Sequence, residues 1–343
     1  MSTSERTSTP VAAPPRAAGH AGRTVARLFG GSWVPITVAT VALLAVSPAI
    51  APGSLGSASV LSMLPFAAVL AIAAAGQTLV VQQRGLDLSV PGMMALGAVL
   101  VTALPQQYGV GVVPAVVLAV LVPALFGLLN GVLVAVFGIT PLVATLGMNA
   151  VLLGTVFAVS DGTPSGAADG LNRFTLDRTL GVPNTVIVAV VVIAVAAVVA
   201  SRSIIGHRLT QIGVSERAAA AIGIRVNRYR LSAYGFAAAC YGAAGLLLAG
   251  YAKTPPLFLG DSYLLPTVAA VVLGGTALTG GIASIAATAV AALFLSQLGQ
   301  LLRSLGWPDS SQLIAQAVVL ILVVVLRVVV PTAWQRWRGR STS

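Results

Sequence analysis

Long apolar runs alternate with short polar breaks along almost the whole chain. Most runs are close to the roughly 20 residues that a helix needs to cross a bilayer. Reading each run as a helix predicts ten spans, at about 34–50, 60–81, 90–104, 112–137, 142–159, 182–200, 229–251, 263–278, 282–302 and 311–330. The breaks carry residue types that end helices: Pro52 and Gly53, Gly138 to Pro141, Thr279 to Gly281, and Gly306 to Ser310. The longest polar segment between runs is 160–181, with Asp161, Asp169, Arg173, Asp177 and Arg178. A basic segment follows at 201–228. The first 32 residues are rich in Ser, Thr, Pro, Ala and Arg and lack an apolar centre, so they read as a disordered tail. Residues 332–343 form a basic tail with Trp334 and Trp337, which leaves 33–331 as one transmembrane domain.

Composition supports lipid as the main solvent. Of the 343 residues 57% are hydrophobic and 8% charged, against about 25% charged in soluble domains. The net charge of +11 alone would suit a nucleic acid. Its distribution argues for none, because the charges sit between the apolar runs. With the N-terminus inside, the cytoplasmic segments hold 15 of the 19 basic residues, and the outer ones only Arg173, Arg178, Lys253 and Arg303. Five of the eight acids fall outside. This asymmetry supports ten spans with both termini cytoplasmic. The fold class is thus an all-α membrane protein. Spans two to five and seven to ten form two halves offset by five spans, the layout of an inverted repeat. No residue-level match between the halves stands out.

Few residues offer chemistry. A phosphate-binding P-loop needs a lysine after its glycines, and the one lysine, Lys253, lies on the outer side in a TPPLF context. Any ATP-driven work therefore needs a partner. The histidines are His20 in the tail and His207 in a basic loop, and neither a zinc motif nor a catalytic triad is evident. No catalytic residue, cofactor or metal is expected. Cys240, in an apolar run, reads as a small packed residue.

Asp87, in QQRGLDLSVPG at 82–92, is the only acid near a span interior. It either couples an ion, or Asp87 or Ser89 caps a helix with Pro91 in its first turn. Arg84 reads as a cytoplasmic flank. Gln77, Asn130, Thr145, Asn149, Gln297 and Gln316 are polar residues inside spans. They either hydrogen-bond between helices or line a path for an uncharged polyhydroxy solute. Gly274, Gly275 and Thr276, in a glycine cluster at 271–281, fit either a broken helix beside a pathway or close helix packing. Within 205–231, Ser215 can cap a short helix from Glu216 through Arg217, Ala218 and Ala219 to Ile222, which Gly223 can end. Lying outside the bilayer, such a helix can dock on a soluble partner or remain a bare surface helix.

Taken together, RGLDLSVPG at 84–92, NGVLVAVFGITPLVATLG at 130–147, GVSERAAAAIGIRV at 213–226 and VAAVVLGGTALTGGIAS at 268–284 resemble the permease subunits of bacterial ABC importers of monosaccharides. Ribose, xylose, galactose and autoinducer-2 systems belong to that family. The match spans about 35–330, with its motifs in order. There are departures: Arg84 replaces a glycine, Pro91 precedes Gly92, and Ala283 and Ala287 stand where glycines are usual. The resemblance implies a cell-membrane permease with an ABC ATP-binding subunit, an extracytoplasmic solute-binding protein and a second permease copy or paralogue. It also implies that 213–226 couples ATP-driven closure to the pore. A secondary ion-coupled carrier and a branched-chain amino-acid permease are the alternatives.

Overall fold

The computed structural model describes residues 33–308, 310–319, 321, 322 and 325. The two tails at 1–32 and 332–343 and part of the tenth expected span lie outside the described residues. The chain forms α1 (Val34–Ile50), α2 (Ser57–Gln82), α3 (Val90–Gln107), α4 (Val112–Ala135) and α5 (Pro141–Ser160). Then come a short α6 (Asp169–Leu176), α7 (Asn184–Arg202), α8 (Ile204–Val214), α9 (Glu216–Ala221) and α10 (Val226–Ala252). A 3-10 turn (Asp261–Tyr263) leads into α11 (Leu264–Leu273), and α12 (Ile285–Ser304) follows. Residues 310–319 are helical again. A two-residue antiparallel ribbon, Arg178–Thr179 with Val182–Pro183, is the only sheet among the described residues.

Among the described residues, six helices are long and apolar enough to cross a membrane: α2, α4, α5, α7, α10 and α12. Their burial sorts them. In α7, rich in Val, Ala and Ile, 17% of the apolar stretch is buried, whereas in α10 it is 72%. Valine-rich faces turn outward, and the Gly-, Ala- and Tyr-rich α10 fills the centre. That is the expected division when lipid is as apolar as the core and close approach, not water exclusion, holds helices together. Residues 90–103 of α3 are all buried beside α10.

Close approach is visible at the crossings. A Cβ at Gly97 of α3 would lie 2.4 Å from the Gly242 carbonyl oxygen of α10. One at Gly242 would lie 2.3 Å from the Ala119 carbonyl oxygen of α4. α10 runs antiparallel to α2 along its length. Phe66 meets Tyr251 edge to face with ring centroids 5.3 Å apart, Gln77 meets Tyr241 midway, and Gly85, just past α2, packs on Tyr234.

The structure corrects two expected spans. The eighth, expected at 263–278, is helical only from Leu264 to Leu273. Gly275, at φ +92, breaks it, and the chain stays irregular through Gly280 and Gly281, both at φ +81, until Ser284 caps α12 at Ile285. The ninth span therefore begins three residues later than the expected 282. Apolar Ala277 and Leu278 carry the hydropathy pattern through this break, so periodicity alone does not detect it.

Candidate functional site

α2 ends at Gln82, Arg84 adopts φ +67, and residues 85–89 run without regular structure into α3. Asp87 and Ser89 of this loop are buried, the other loop residues are half-buried, and side chains from four helices hold it. The Gln77 amide donates to the Asp87 carbonyl (3.3 Å) and accepts from the Tyr241 hydroxyl (2.6 Å). The Leu88 N–H donates to Thr145 Oγ1 (3.0 Å), and the Gly92 N–H to Asn149 Oδ1 (2.9 Å). Asp87 Oδ1 accepts from both the backbone N–H and the hydroxyl of Ser89, at 2.9 and 2.5 Å. Asn130 donates to Ser89 Oγ (3.0 Å). Asp87 Oδ2 is buried with no hydrogen-bond partner among the described residues.

Six polar residues that the sequence leaves scattered over four segments thus meet in one network. Ser89 holds the cap position of α3 but makes no side-chain cap bond, because its hydroxyl is turned to Asp87. Gln297 lies elsewhere, donating to Ser47 of α1 (3.1 Å). Gly274 ends α11 against Thr288 of α12, and the Thr276 hydroxyl is buried without a partner among the described residues. Gln77 is fully buried, so Gln77→Leu strands the Tyr241 hydroxyl and the Asp87 carbonyl. Its expected cost is about 1–3 kcal/mol, seen as a lower unfolding temperature of the detergent-solubilised chain. An unchanged temperature would show that the network does not hold the loop.

A second construction lies at the end of α2. The segment 201–228, expected to be a loop with one short helix, holds two. α8 is capped by Ser203, whose hydroxyl accepts from the Gly206 N–H (3.2 Å); the cap residue is legible in the sequence, but no apolar run marks the helix. α9 has the expected cap, with Ser215 Oγ accepting from the Ala218 N–H at 3.3 Å, and Gly223 follows at φ +83. The Arg84 guanidinium donates to the Gly213 and Val214 carbonyls ending α8, at 2.7 and 2.5 Å. That is more than the flank expected of it. Gln82 donates to Thr210 (2.8 Å), and the Gly281 N–H donates to the Gln82 carbonyl (2.8 Å). Glu216 of α9 and Arg230 of α10 form a bidentate ion pair at 2.8–2.9 Å, the one salt bridge among the described residues. The helix pair α8–α9 is thereby tied to the ends of α2 and α10 and to the glycine turn before α12.

Of the residues singled out in α9, Glu216, Arg217 and Ala218 are exposed. Ala219 is not: it is 2% exposed and packs with Ile212 and Val226. The bare face also carries Ile222, 69% exposed.

Two cavities open at opposite ends of α2. One, of about 530 Å³, lies beside its first turns, among the loop after α10, α12 and residues 312–316. The other, of about 290 Å³, lies past its last turn, among Gln83 to Gly85, the end of α4, the start of α5 and the start of α10.

Apolar helices of spanning length, a buried polar loop and a cavity at each end define a membrane permease. The family model described as branched-chain amino acid transport system / permease component matches residues 59–325, and the chain belongs to that family. The ribose import permease protein RbsC of Bacillus subtilis (strain 168) is 31% identical over 278 residues, covering 80% of this chain and 86% of the relative. RbsC of Escherichia coli (strain K12) is 31% identical over 309 residues, covering 88% and 96%. The autoinducer 2 import system permease protein LsrD of Escherichia coli (strain SMS-3-5 / SECEC) is 32% identical over 257 residues, covering 73% and 78%. No solved structure matches the chain. The chain is a multi-pass protein of the bacterial cell membrane and a transport component rather than an enzyme.

Proposed function

We propose that this chain is the permease subunit of an ATP-driven importer that takes a sugar or a sugar-like neutral solute from a solute-binding protein. The observation that carries this is its kinship, over 73–88% of its length, with permeases named for ribose and autoinducer 2. That kinship favours a sugar over a branched-chain amino acid within the broader family. An ion-coupled carrier is disfavoured by the hydrogen bonding of Asp87, whose carboxylate holds a loop instead of standing in a relay.

In this reading the chain spans the membrane ten times, in two inverted halves with both termini cytoplasmic, in line with the bias of basic residues. Two copies, or one copy and a paralogue, enclose the path, and lipid coats the exposed valine-rich faces of α4 and α7. ATP-binding subunits dock on α8–α9, with Ser215 and Gly223 shaping the helix and Glu216, Arg217 and Ala218 at its accessible surface. Movement there reaches the membrane through Arg84 and Gln82. Gln77, Asp87, Ser89, Asn130, Thr145 and Asn149 set the shape of the path by fixing the 85–89 loop. Gly274, Gly275 and Thr276 give the path its break in α11, and Gln297 braces α12 against α1.

Reconstitution tests this reading. The purified chain alone is expected to hydrolyse no ATP. The chain with an ATP-binding subunit and a solute-binding protein from its own operon is expected to import a monosaccharide in vesicles. Import of leucine and of no monosaccharide would move it to the amino-acid branch, and ATP turnover by the isolated chain would sink the reading.

A further inference from the structure

α2 ends in a wrap made of two backbone bonds. The Arg84 N–H donates to the Val81 carbonyl (2.9 Å), and the Gly85 N–H donates to the Val80 carbonyl (3.0 Å). Gln83 is the cap residue, so Arg84 takes the position just past it, in the left-handed conformation that this wrap requires, at φ +67. Glycine is the usual occupant there, because a Cβ is crowded in that conformation. A side chain kept at such a position against the preference of the backbone points to a task for it. Arg84 Nε donates to the Gly213 carbonyl (2.7 Å) and Nη2 to the Val214 carbonyl (2.5 Å). Both carbonyls belong to the last turn of α8, where helix carbonyls lack partners within the helix and the helix dipole is negative. Glycine can make neither bond. The grip falls on a corner, since the next residue, Ser215, both ends α8 and caps α9. Bare backbone gives the arginine its place: a Cβ on Gly280 would stand 2.5 Å from Arg84 Cγ, and one on Gly213 would stand 1.9 Å from the Gln82 carbonyl oxygen. Arg84 pairs with no carboxylate among the described residues, so the negative end of α8 is its counter-charge.

We infer that Arg84 is a positioning residue for transport: its guanidinium locks the corner between α8 and α9 to the start of the 85–89 loop, so that a docked ATP-binding subunit that displaces the corner also moves the loop. The inference deepens the reading above and rests on its docking of ATP-binding subunits on α8–α9. Chain continuity gives the direction of the pull. The loop begins at the residue after Arg84, and its far end is bonded to α5, through the Leu88 N–H to Thr145 and the Gly92 N–H to Asn149. A pull on Arg84 is therefore passed along the loop to α5 and to the first turn of α3. Gln82 also reaches α8, at Thr210 (2.8 Å), but it does so from within α2 and holds that helix, not the loop. The bond from the Gly281 N–H to the Gln82 carbonyl (2.8 Å) likewise fixes the end of α2. Arg84 alone of these residues joins the corner to the loop by its side chain and its backbone together.

Three substitutions separate the side chain from the backbone. Arg84→Ala keeps the crowded backbone and removes the grip. Arg84→Gly removes both. Arg84→Lys keeps one charged donor without the fork that reaches two carbonyls. Each is made in the full importer complex in vesicles, with the ATP-binding subunit and the solute-binding protein. Radiolabelled D-ribose, D-xylose, D-galactose, D-glucose and L-leucine are tested singly, and the solute that the wild type imports is the probe. The readouts are capture of a tagged ATP-binding subunit, solute imported per ATP hydrolysed, and unfolding temperature. Capture should persist in all three. Solute imported per ATP should fall about tenfold in Arg84→Ala and Arg84→Gly alike, the scale of losing one charged hydrogen bond, and less in Arg84→Lys. Arg84→Gly should unfold at a higher temperature than Arg84→Ala, because glycine relieves the backbone. A merely structural role would make the ratio follow the unfolding temperature. Arg84→Gly importing at the wild-type ratio overturns the inference and leaves the importer reading standing. A ratio much better in Arg84→Gly than in Arg84→Ala also overturns it, since backbone strain would then account for the loss. A wild-type chain that captures no ATP-binding subunit, or imports none of the solutes, removes the importer reading and the inference with it.

Discussion

Ala218→Trp should abolish capture of the ATP-binding subunit and, with it, uptake, while the permease still inserts and migrates as a single species. Ala218 sits in the first turn of α9 on its exposed side, next to Arg217 and one turn before Ile222. An indole there adds bulk that a docked groove must expel, and nothing within the chain moves to accept it. Burying a mismatched ring at the centre of an interface costs several kcal/mol, against about 1.4 kcal/mol for each tenfold loss of affinity. Affinity should fall at least a hundredfold, as read by pull-down with a tagged ATP-binding subunit. Ala219→Trp is the contrasting change. Its side chain points into the small cluster with Ile212 and Val226, so it should unseat α9 from α10 and lower thermal stability as well. If Ala218→Trp binds and transports normally, α9 is not the coupling element.

Gly242→Val should produce the largest loss of folded protein. Both γ-methyls would enter a space where even a Cβ stands 2.3 Å from the Ala119 carbonyl oxygen and 2.8 Å from the Pro123 ring. The obstacle at the first contact is backbone, which no rotamer change can clear, so α4 and α10 must separate. Overpacking a core costs about 1–3 kcal/mol, and more where backbone must shift. Separation here also opens the contact of α10 with Gly97 on α3. The measurement is the monodisperse fraction after detergent extraction. Wild-type yield and unfolding temperature would show that the crossing is looser than its geometry states.

How much of this was legible in the sequence depends on what each element reveals to hydropathy. α1 lies at 34–50 as expected, because Pro35 starts it and Pro52 with Gly53 follows its end. α11 was overestimated, since small apolar residues continue past Gly275 and hide a break made by backbone angle. α8 went unseen because its polar, glycine-containing sequence has no apolar run. The cap of α9 was readable from Ser215, but which alanine faces the core was not, because a helix of small residues has no contrast between its sides. The polar residues Gln77, Asn130, Thr145 and Asn149 were visible one by one. Their convergence on the 85–89 loop was not, since it depends on how four helices meet.

The central place of α10 has a consequence for how the protein is made. α2, α3 and α4 leave the ribosome early, yet the helix that fills the space between them begins about ninety residues after α4 ends. At the usual 5–20 residues per second that is a delay of roughly 5–20 s. During it the 85–89 loop lacks its Tyr241 anchor, and the glycine faces of α3 and α4 lack the helix they pack against. The half-made protein is therefore a separate, longer-lived species with its own exposure to insertion factors and membrane proteases. A slow codon in the 136–225 stretch acts on yield by lengthening that interval, without altering any contact in the finished molecule.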